Sequence, residues 1–210
     1  MIKESSYQSE WQNNRIKFVL SKYPNDFFNG KKVLELGSFN GYIGSYFNEI
    51  GSEVLSLEGR ESNVANIKND YPNLEVQHAN LDTPDWIWGK WDIIINFGLY
   101  YHLEKFHKEH LKNCVANCDL MFFETVIYDS FESEIHFRNE SGADQSLSNV
   151  GGTPSTSYVE NILTETNASF TKFCNSELNG GPGAPQHYDW EDKNSKIFDM
   201  WSRRFWIIEK

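Results

Sequence analysis

Residues 33–44 read Val-Leu-Glu-Leu-Gly-Ser-Phe-Asn-Gly-Tyr-Ile-Gly, and this stretch decides how the rest of the chain is interpreted. A short apolar run ends in an acid, a glycine loop follows, and an amphipathic segment continues through Ile50. The pattern predicts a strand, a tight turn and the start of a helix. Gly37 and Gly41 let the backbone turn sharply and approach a ligand closely. Loop N–H groups and the helix dipole then face whatever lies over the end of the strand.

A second acid follows the glycine loop at a spacing typical of nucleotide-binding sites. Residues 54–57 read as the second strand, and Glu58 follows Gly37 by 21 residues. In doubly wound nucleotide sites, an acid about 20 residues on accepts hydrogen bonds from ribose hydroxyls. The dinucleotide fingerprint G-x-G-x-x-G is not matched, because Ser38 occupies the place of its second glycine. The spacing therefore disfavours a nicotinamide-dependent enzyme.

The remaining pattern alternates strands with helices and predicts one α/β domain over residues 1–210, without repeats. Two long polar stretches, 128–153 and 175–200, are predicted to be substrate loops, since long loops in compact domains are usually functional or disordered. The N-terminal segment 1–30 reads as a helix able to cover the site or pack on the sheet. Strands are predicted at 33–36, 54–57, 74–76, 92–96, 119–126, 169–173 and 204–208, and helices at 4–22, 61–71, 106–116 and 153–167.

The composition limits the partners and the compartment. The chain of 210 residues carries a net charge of -11, and its basic residues are dispersed, which disfavours a long nucleic-acid footprint. An apolar run of about 18 residues and an apolar leader are both missing, so neither a membrane span nor a signal peptide is predicted, and a cytoplasmic location is expected. The three cysteines show no metal-ligand spacing, so no metal site is predicted.

The E-x-G-x-x-x-G pattern followed by Glu58 resembles motif I of the class I S-adenosylmethionine (SAM)-dependent methyltransferases. The resemblance implies a doubly wound, Rossmann-like sheet of seven strands whose last strand is antiparallel, beside the fifth. It implies SAM as cofactor, with Glu35 organising the ammonium group of SAM and the glycine loop wrapping its amino-acid end. Asn80 and Asp82 are alternatives for the adenine contact, and either one also suits an Asx turn or a helix cap. The cofactor residues implied are Glu35, Gly37, Ser38, Gly41, Glu58, Asn80, Leu81, Asp82, Phe97 and Gly98.

The run 99–103, Leu-Tyr-Tyr-His-Leu, resembles a segment that in many small methyltransferases lies near the sulfonium and the acceptor. His102 is the predicted base for an acceptor that must lose a proton, because histidine titrates near neutrality. A histidine that caps or packs against the following helix is the alternative. Tyr101 is the second predicted catalytic residue. The predicted substrate-binding residues are Tyr100, Glu124, His136 and Arg204.

Several short pieces are similar to the tRNA wobble-uridine carboxymethyltransferases, which use carboxy-SAM. They are 98–102 (Gly-Leu-Tyr-Tyr-His), 123–125 (Phe-Glu-Thr), 149–155 (Asn-Val-Gly-Gly-Thr-Pro-Ser) and Arg204. The leading hypothesis is a SAM-dependent methyltransferase that modifies oxygen or nitrogen of a small polar molecule. The alternatives are a tRNA-modifying (carboxy)methyltransferase and a non-catalytic SAM-binding module.

Overall fold

The computed structural model describes residues 7–84, 86, 89–142, 145–174 and 203–210. Five α-helices and nine strands lie in these ranges, with short 3-10 turns at Asn25–Phe28 and Tyr100–His102. The helices are α1 Tyr7–Lys22, α2 Tyr42–Glu49, α3 Glu61–Asp70, α4 His107–Ala116 and α5 Thr156–Glu165. The strands are β1 Lys32–Leu36, β2 Glu53–Glu58, β3 Glu75–His78, β4 Trp91–Phe97, β5 Cys118–Val126, β6 Ile135–Asn139, β7 Val150–Pro154, β8 Ser169–Phe173 and β9 Arg203–Glu209.

Seven strands form one sheet in the order β3-β2-β1-β4-β5-β9-β8. The strands β1 to β5 are parallel, whereas β9 runs antiparallel to both of its neighbours, β5 and β8. The prediction of a seven-stranded α/β sheet with an antiparallel last strand is confirmed. The strand order reverses between β1 and β4, and doubly wound folds bind ligands in the crevice outside that reversal.

Both faces of the sheet are covered, which explains the near-continuous apolar strands. Along β4, alternate residues point to opposite faces. Ile94 belongs to one buried cluster, with Leu34 and Phe123, while Ile93 and Ile95 belong to the other. The sheet is therefore rigid beneath the edge at which its parallel strands end.

The segment 128–153 contains regular structure that its polar composition hides. The strands β6 and β7 pair as an antiparallel hairpin, separate from the main sheet. The prediction that a helix opens at residue 153 was wrong by three residues. Pro154 ends β7, and Ser155 caps α5 by accepting a hydrogen bond from the Tyr158 N–H at 3.1 Å. The predicted substrate loop 175–200 lies outside the described residues.

Across the described ranges, every helix is too short or too polar to cross a membrane.

Candidate active site

A cavity of about 400 Å³ opens at the sheet edge where the strand order reverses. Its walls come from the loop between β1 and α2, from the ends of β2 and β4, from α1 and from the β6–β7 hairpin. Of the predicted site residues, those that line it are Glu35, Gly37, Ser38, Glu58, Asn80, Leu81, Asp82, Phe97, Gly98, Tyr101 and His102.

The glycine loop is shaped by two residues with positive φ. Gly37 has φ +69°, and a Cβ on it would lie 3.1 Å from the Cβ of Leu99. Gly41 has φ +76°, and a Cβ there would lie 2.8 Å from the Cγ2 of Ile67. Gly41 precedes the first residue of α2 and does not itself line the cavity. A larger residue at either position would strain the backbone and collide with these neighbours.

Glu35 is a buried acid of β1 that contacts α2 and β2. Its Oε1 accepts a hydrogen bond from the Gly44 N–H at 3.1 Å, and its Oε2 accepts one from the Ser56 hydroxyl at 2.5 Å. Burial raises the pKa of Glu35 to about 7, against the opposing effect of these two hydrogen bonds. A Cβ on Gly44 would collide with the Glu35 carboxylate, so this third glycine makes room for the acid. Sequence reasoning did not assign Gly44 that role.

Glu58 joins β2 to the glycine loop. Its Oε2 accepts from the Phe39 N–H at 2.8 Å, and its Oε1 accepts from the Arg60 N–H at 3.0 Å and from Asn63 Nδ2 at 3.2 Å. An ionised carboxylate has about four acceptor sites. Three donors therefore leave capacity for a hydroxyl donor from the cavity.

Asn80 and Asp82 differ in how the protein uses them. Both oxygens of Asp82 accept backbone N–H groups ahead of α4, from Glu104 at 2.9 Å and from Lys105 at 3.1 Å. The side-chain oxygen of Asn80 accepts the N–H of Asp82 at 3.0 Å, which forms an Asx turn. Both residues also line the cavity, so the adenine contact remains a prediction for either one.

Phe97 ends β4, Gly98 follows it, and both line the cavity. The Phe97 ring packs on Phe205, with ring centroids 5.4 Å apart. A Cβ on Gly98 would lie 3.1 Å from the Trp11 ring of α1, so the helix and the end of β4 approach closely. Because Trp11 lines the cavity too, α1 forms part of its wall.

A buried charge cluster lies at the end of the cavity away from the glycine loop and Glu58. Arg203 Nη1 is 3.1 Å from Glu124 Oε1, and Arg15 Nη2 is 3.0 Å from the same oxygen. Arg203 Nη2 donates to the Tyr101 hydroxyl at 3.2 Å. Burial raises the pKa of Tyr101, although Arg203 opposes the shift, so the phenol keeps its proton at neutral pH. Tyr101 is therefore suited to orient a ligand by hydrogen bonds and not to remove a proton.

His102 lies in a short helical turn, Tyr100–His102, beside this cluster. Its Nδ1 is 2.6 Å from Glu140 Oε2, an acid that follows β6 in the hairpin. The sequence also suggests that His102 caps α4. In the structure, it is Asp82 that accepts the N–H groups just ahead of that helix.

Four predicted substrate-binding residues and the glycine Gly41 lie outside the cavity lining. Tyr100 is fully buried, and its hydroxyl donates to the His107 carbonyl at 2.8 Å. Glu124 is fully buried behind Arg203. His136 stacks on Tyr128 on the exposed side of the hairpin, with ring centroids 4.6 Å apart.

Arg204 is also fully buried, but it is Arg203 that lines the cavity. Successive residues of a strand point to opposite faces, so a shift of one position along β9 exchanges the two arginines. Pairing β9 with β5 in register would have distinguished them, because Thr125 pairs with Arg204 and Val126 with Arg203. Sequence reasoning also missed Arg15 and Glu140, for which no local motif gives a signal.

Among the residues that the structure describes, His, Cys, Asp and Glu form no group of three able to hold a metal ion.

Comparison with known proteins gives a partial sequence match and many structural ones. No family model matches the sequence. A stretch of 77 residues is 31% identical to a probable S-adenosylmethionine-dependent methyltransferase of Mycolicibacterium smegmatis. The match covers 35% of this chain and spans only 29% of the length of that relative.

Solved structures match over nearly the whole chain. The N-terminal domain of EvdMO1 with S-adenosylhomocysteine (SAH) bound gives a TM-score of 0.67 at 15% identity, covering 95% of this chain and 80% of that one. The magnesium protoporphyrin IX methyltransferase ChlM of Synechocystis with bound SAM gives 0.62 at 10% identity, covering 96% and 81%. A SAM-dependent methyltransferase from Mesorhizobium loti gives 0.66 at 11% identity, covering 94% and 98%. This chain therefore has the fold of the class I SAM-dependent methyltransferases, as its motifs predict.

Proposed function

We propose that this protein is a SAM-dependent methyltransferase that modifies oxygen or nitrogen of a small polar molecule. One observation carries the proposal. A single cavity joins the glycine loop and Glu58 at one end to Tyr101, His102 and Arg203 at the other. When bound, SAM supplies an electrophilic methyl group on a sulfonium. Much of the acceleration of such a transfer comes from holding the two reactants in line.

The cofactor end fits SAM through the donors and acceptors already placed there. Gly37 lines the cavity without a side chain, so the loop backbone can approach the amino-acid end of a ligand. The remaining acceptor capacity of Glu58 suits a ribose hydroxyl. Glu35 lines the same end of the cavity, where a carboxylate would stabilise an ammonium group. Asn80 or Asp82 would receive the adenine amino group.

The acceptor end favours a small polar substrate. Arg203, the Tyr101 hydroxyl and the His102 ring provide polar groups within a cavity whose size is typical of small-molecule sites. The net charge of -11 disfavours the long phosphate contacts that a polynucleotide needs. The domain of EvdMO1 has also been crystallised in the presence of SAH and D-fucose, so a sugar is a reasonable first acceptor to assay.

The binding step can be tested by isothermal titration calorimetry with SAH. The wild-type protein is expected to bind in the micromolar range. Glu58→Ala removes one hydrogen bond to a charged acceptor, worth about 1.5–3 kcal/mol, so affinity should fall by about 10- to 150-fold. Glu75→Ala is the matched control, because Glu75 is an exposed acid on the neighbouring strand β3. If the wild-type protein fails to bind SAH, the proposal is wrong.

Catalysis is tested separately, by SAH release from SAM in the presence of sugars, nucleotides and other polar metabolites. Release that depends on an added acceptor supports the enzyme. Binding of SAH without release across the panel supports a non-catalytic SAM-binding module.

A further inference from the structure

The His102 ring contacts the carboxylate of Glu140, which the glycine-loop motifs do not predict. Glu140 Oε2 is 2.6 Å from His102 Nδ1. The Glu140 side chain is 2% exposed and that of His102 is 13% exposed. The acid is thus enclosed, while the histidine above it lines the cavity.

Glu140 is held in its charged form by its surroundings. Arg138 Nη2 donates to Oε1 at 2.9 Å, and the Ser146 N–H donates to Oε2 at 3.0 Å. Burial alone would raise the pKa of Glu140, but the hydrogen bonds and charges of its partners outweigh it and lower the pKa below its usual value. At neutral pH Glu140 is therefore a carboxylate, which accepts hydrogen bonds and donates none.

The hairpin is fitted to the turn that carries His102. A Cβ on Gly151 would lie 2.5 Å from the Glu140 Cδ and 2.7 Å from the Tyr101 carbonyl oxygen. The Gly152 N–H donates to the Leu103 carbonyl at 2.8 Å. The two glycines of β7 thus let the hairpin approach closely enough to bring the carboxylate under the imidazole.

We infer that Glu140 is a positioning residue that fixes His102 with its proton on Nδ1 and leaves Nε2 as the base for a hydroxyl acceptor. The inference rests on the proposed function. A carboxylate can accept only from a protonated nitrogen, so contact with Nδ1 selects that tautomer. Nε2, on the far side of the ring, is then the nitrogen that can receive a proton.

The step balances for an alcohol. Nε2 takes the proton of the acceptor hydroxyl as its oxygen forms a bond to the methyl carbon. The carbon–sulfur bond breaks, and its electron pair goes to sulfur, which loses its positive charge. The resulting imidazolium is stabilised by Glu140 until the proton passes to water. A neutral amine does not need its proton removed before attack, so the base matters for an oxygen acceptor.

Nitrogen NMR of the cofactor-free protein tests the tautomer directly. With ¹⁵N-labelled histidine, protonated and bare ring nitrogens have well-separated shifts, and a His102→Gln variant assigns the signals. We expect the wild-type His102 to carry its proton on Nδ1, and Glu140→Leu to shift the population to the Nε2–H tautomer. Glu134→Gln is the matched control, an exposed acid just before β6 in the same segment, and should leave the His102 signals unchanged.

Two results would overturn the inference: an Nε2–H tautomer in the wild-type protein, or Nδ1–H retained in a folded Glu140→Leu variant. The wild-type measurement suffices if Glu140→Leu does not fold. SAH calorimetry on the same samples separates this result from the proposed function. Failure of the wild-type protein to bind SAH refutes the methyltransferase, whereas normal binding with the wrong tautomer refutes only the role of Glu140.

Discussion

Replacing Glu35 with glutamine should change how the stability of this protein depends on pH. Glu35 is fully enclosed between β1, Ser56 of β2 and Gly44 of α2, and burial raises its pKa to about 7. Glutamine has nearly the same shape and keeps an oxygen that accepts one of the two hydrogen bonds, but it does not titrate. The difference between the two proteins therefore isolates the ionisation of Glu35.

The sign and the size follow from linkage. The folded protein holds the proton of Glu35 more tightly than the unfolded chain, so the contribution to stability is fully present below the unfolded pKa. It is lost as the pH rises from about 4.5 through about 7. A difference of about 2.5 pH units at 1.36 kcal/mol each gives a loss of roughly 3 kcal/mol. Glu35→Gln removes this loss, so the variant gains on the wild-type protein by up to that amount as the pH rises.

Urea unfolding between pH 5 and pH 8 measures the effect, with both proteins in the same buffers so that all other titrating groups cancel. Ser56→Ala gives a second comparison. Removing a hydrogen bond that favours the charged form should raise the pKa of Glu35 further, so the decline should continue to higher pH than in the wild-type protein. Parallel stability profiles for the wild-type protein and Glu35→Gln would refute the reasoning, because Glu35 would then titrate alike in the folded and unfolded states.

Two further outcomes follow from the same buried charges. If the ammonium of the ligand lies near Glu35, SAH binding near pH 7 should release a proton, because a nearby cation favours the carboxylate. Calorimetry in buffers of different ionisation enthalpy should detect this release in the wild-type protein and lose it in Glu35→Gln. Glu124→Gln should destabilise the fold by about 3–5 kcal/mol, since Arg15 and Arg203 lose the charge of their shared buried partner. Glu165→Gln is the matched comparison in urea unfolding, because Glu165 is an exposed acid that contacts two lysines. It should have a far smaller effect on stability, and equal effects of the two substitutions would contradict the cost assigned to the buried arginines.

The fold and the cofactor end were predictable because their signals are local. The strand that carries Glu35, the positive-φ glycines and the acid that ends β2 all lie within 26 consecutive residues of sequence, from 33 to 58. Apolar strands of the expected length then fix the parallel sheet around them. Even here one residue escaped prediction, because Gly44 matters only once the Glu35 carboxylate is seen folded against α2.

The acceptor end was predicted less well, because its residues meet only in three dimensions. Arg15 and Glu124 are 109 positions apart in the chain, and His102 and Glu140 are 38 apart. The choice of Arg203 over Arg204 depends on strand register, which a single residue of slippage reverses. The polar hairpin of β6 and β7 lacks the apolar alternation by which strands are recognised, since most of its first strand is exposed.

The cofactor end and the acceptor end of the cavity are built differently, and this affects the chemistry that each can support. At the cofactor end, the site is built from the backbone of the glycine loop and from two acids, Glu35 in β1 and Glu58 at the end of β2. At the acceptor end, each charged side chain is already held by a protein partner: Arg203 by Glu124 and Tyr101, and His102 by Glu140. A ligand therefore meets groups that are already oriented, and at His102 a single tautomer. Groups fixed before binding stabilise a transition state better than mobile charges do, so this arrangement favours reaction over binding alone. Changing the acceptor would then require changing these residues as pairs, because replacing one member leaves the other as an uncompensated buried group.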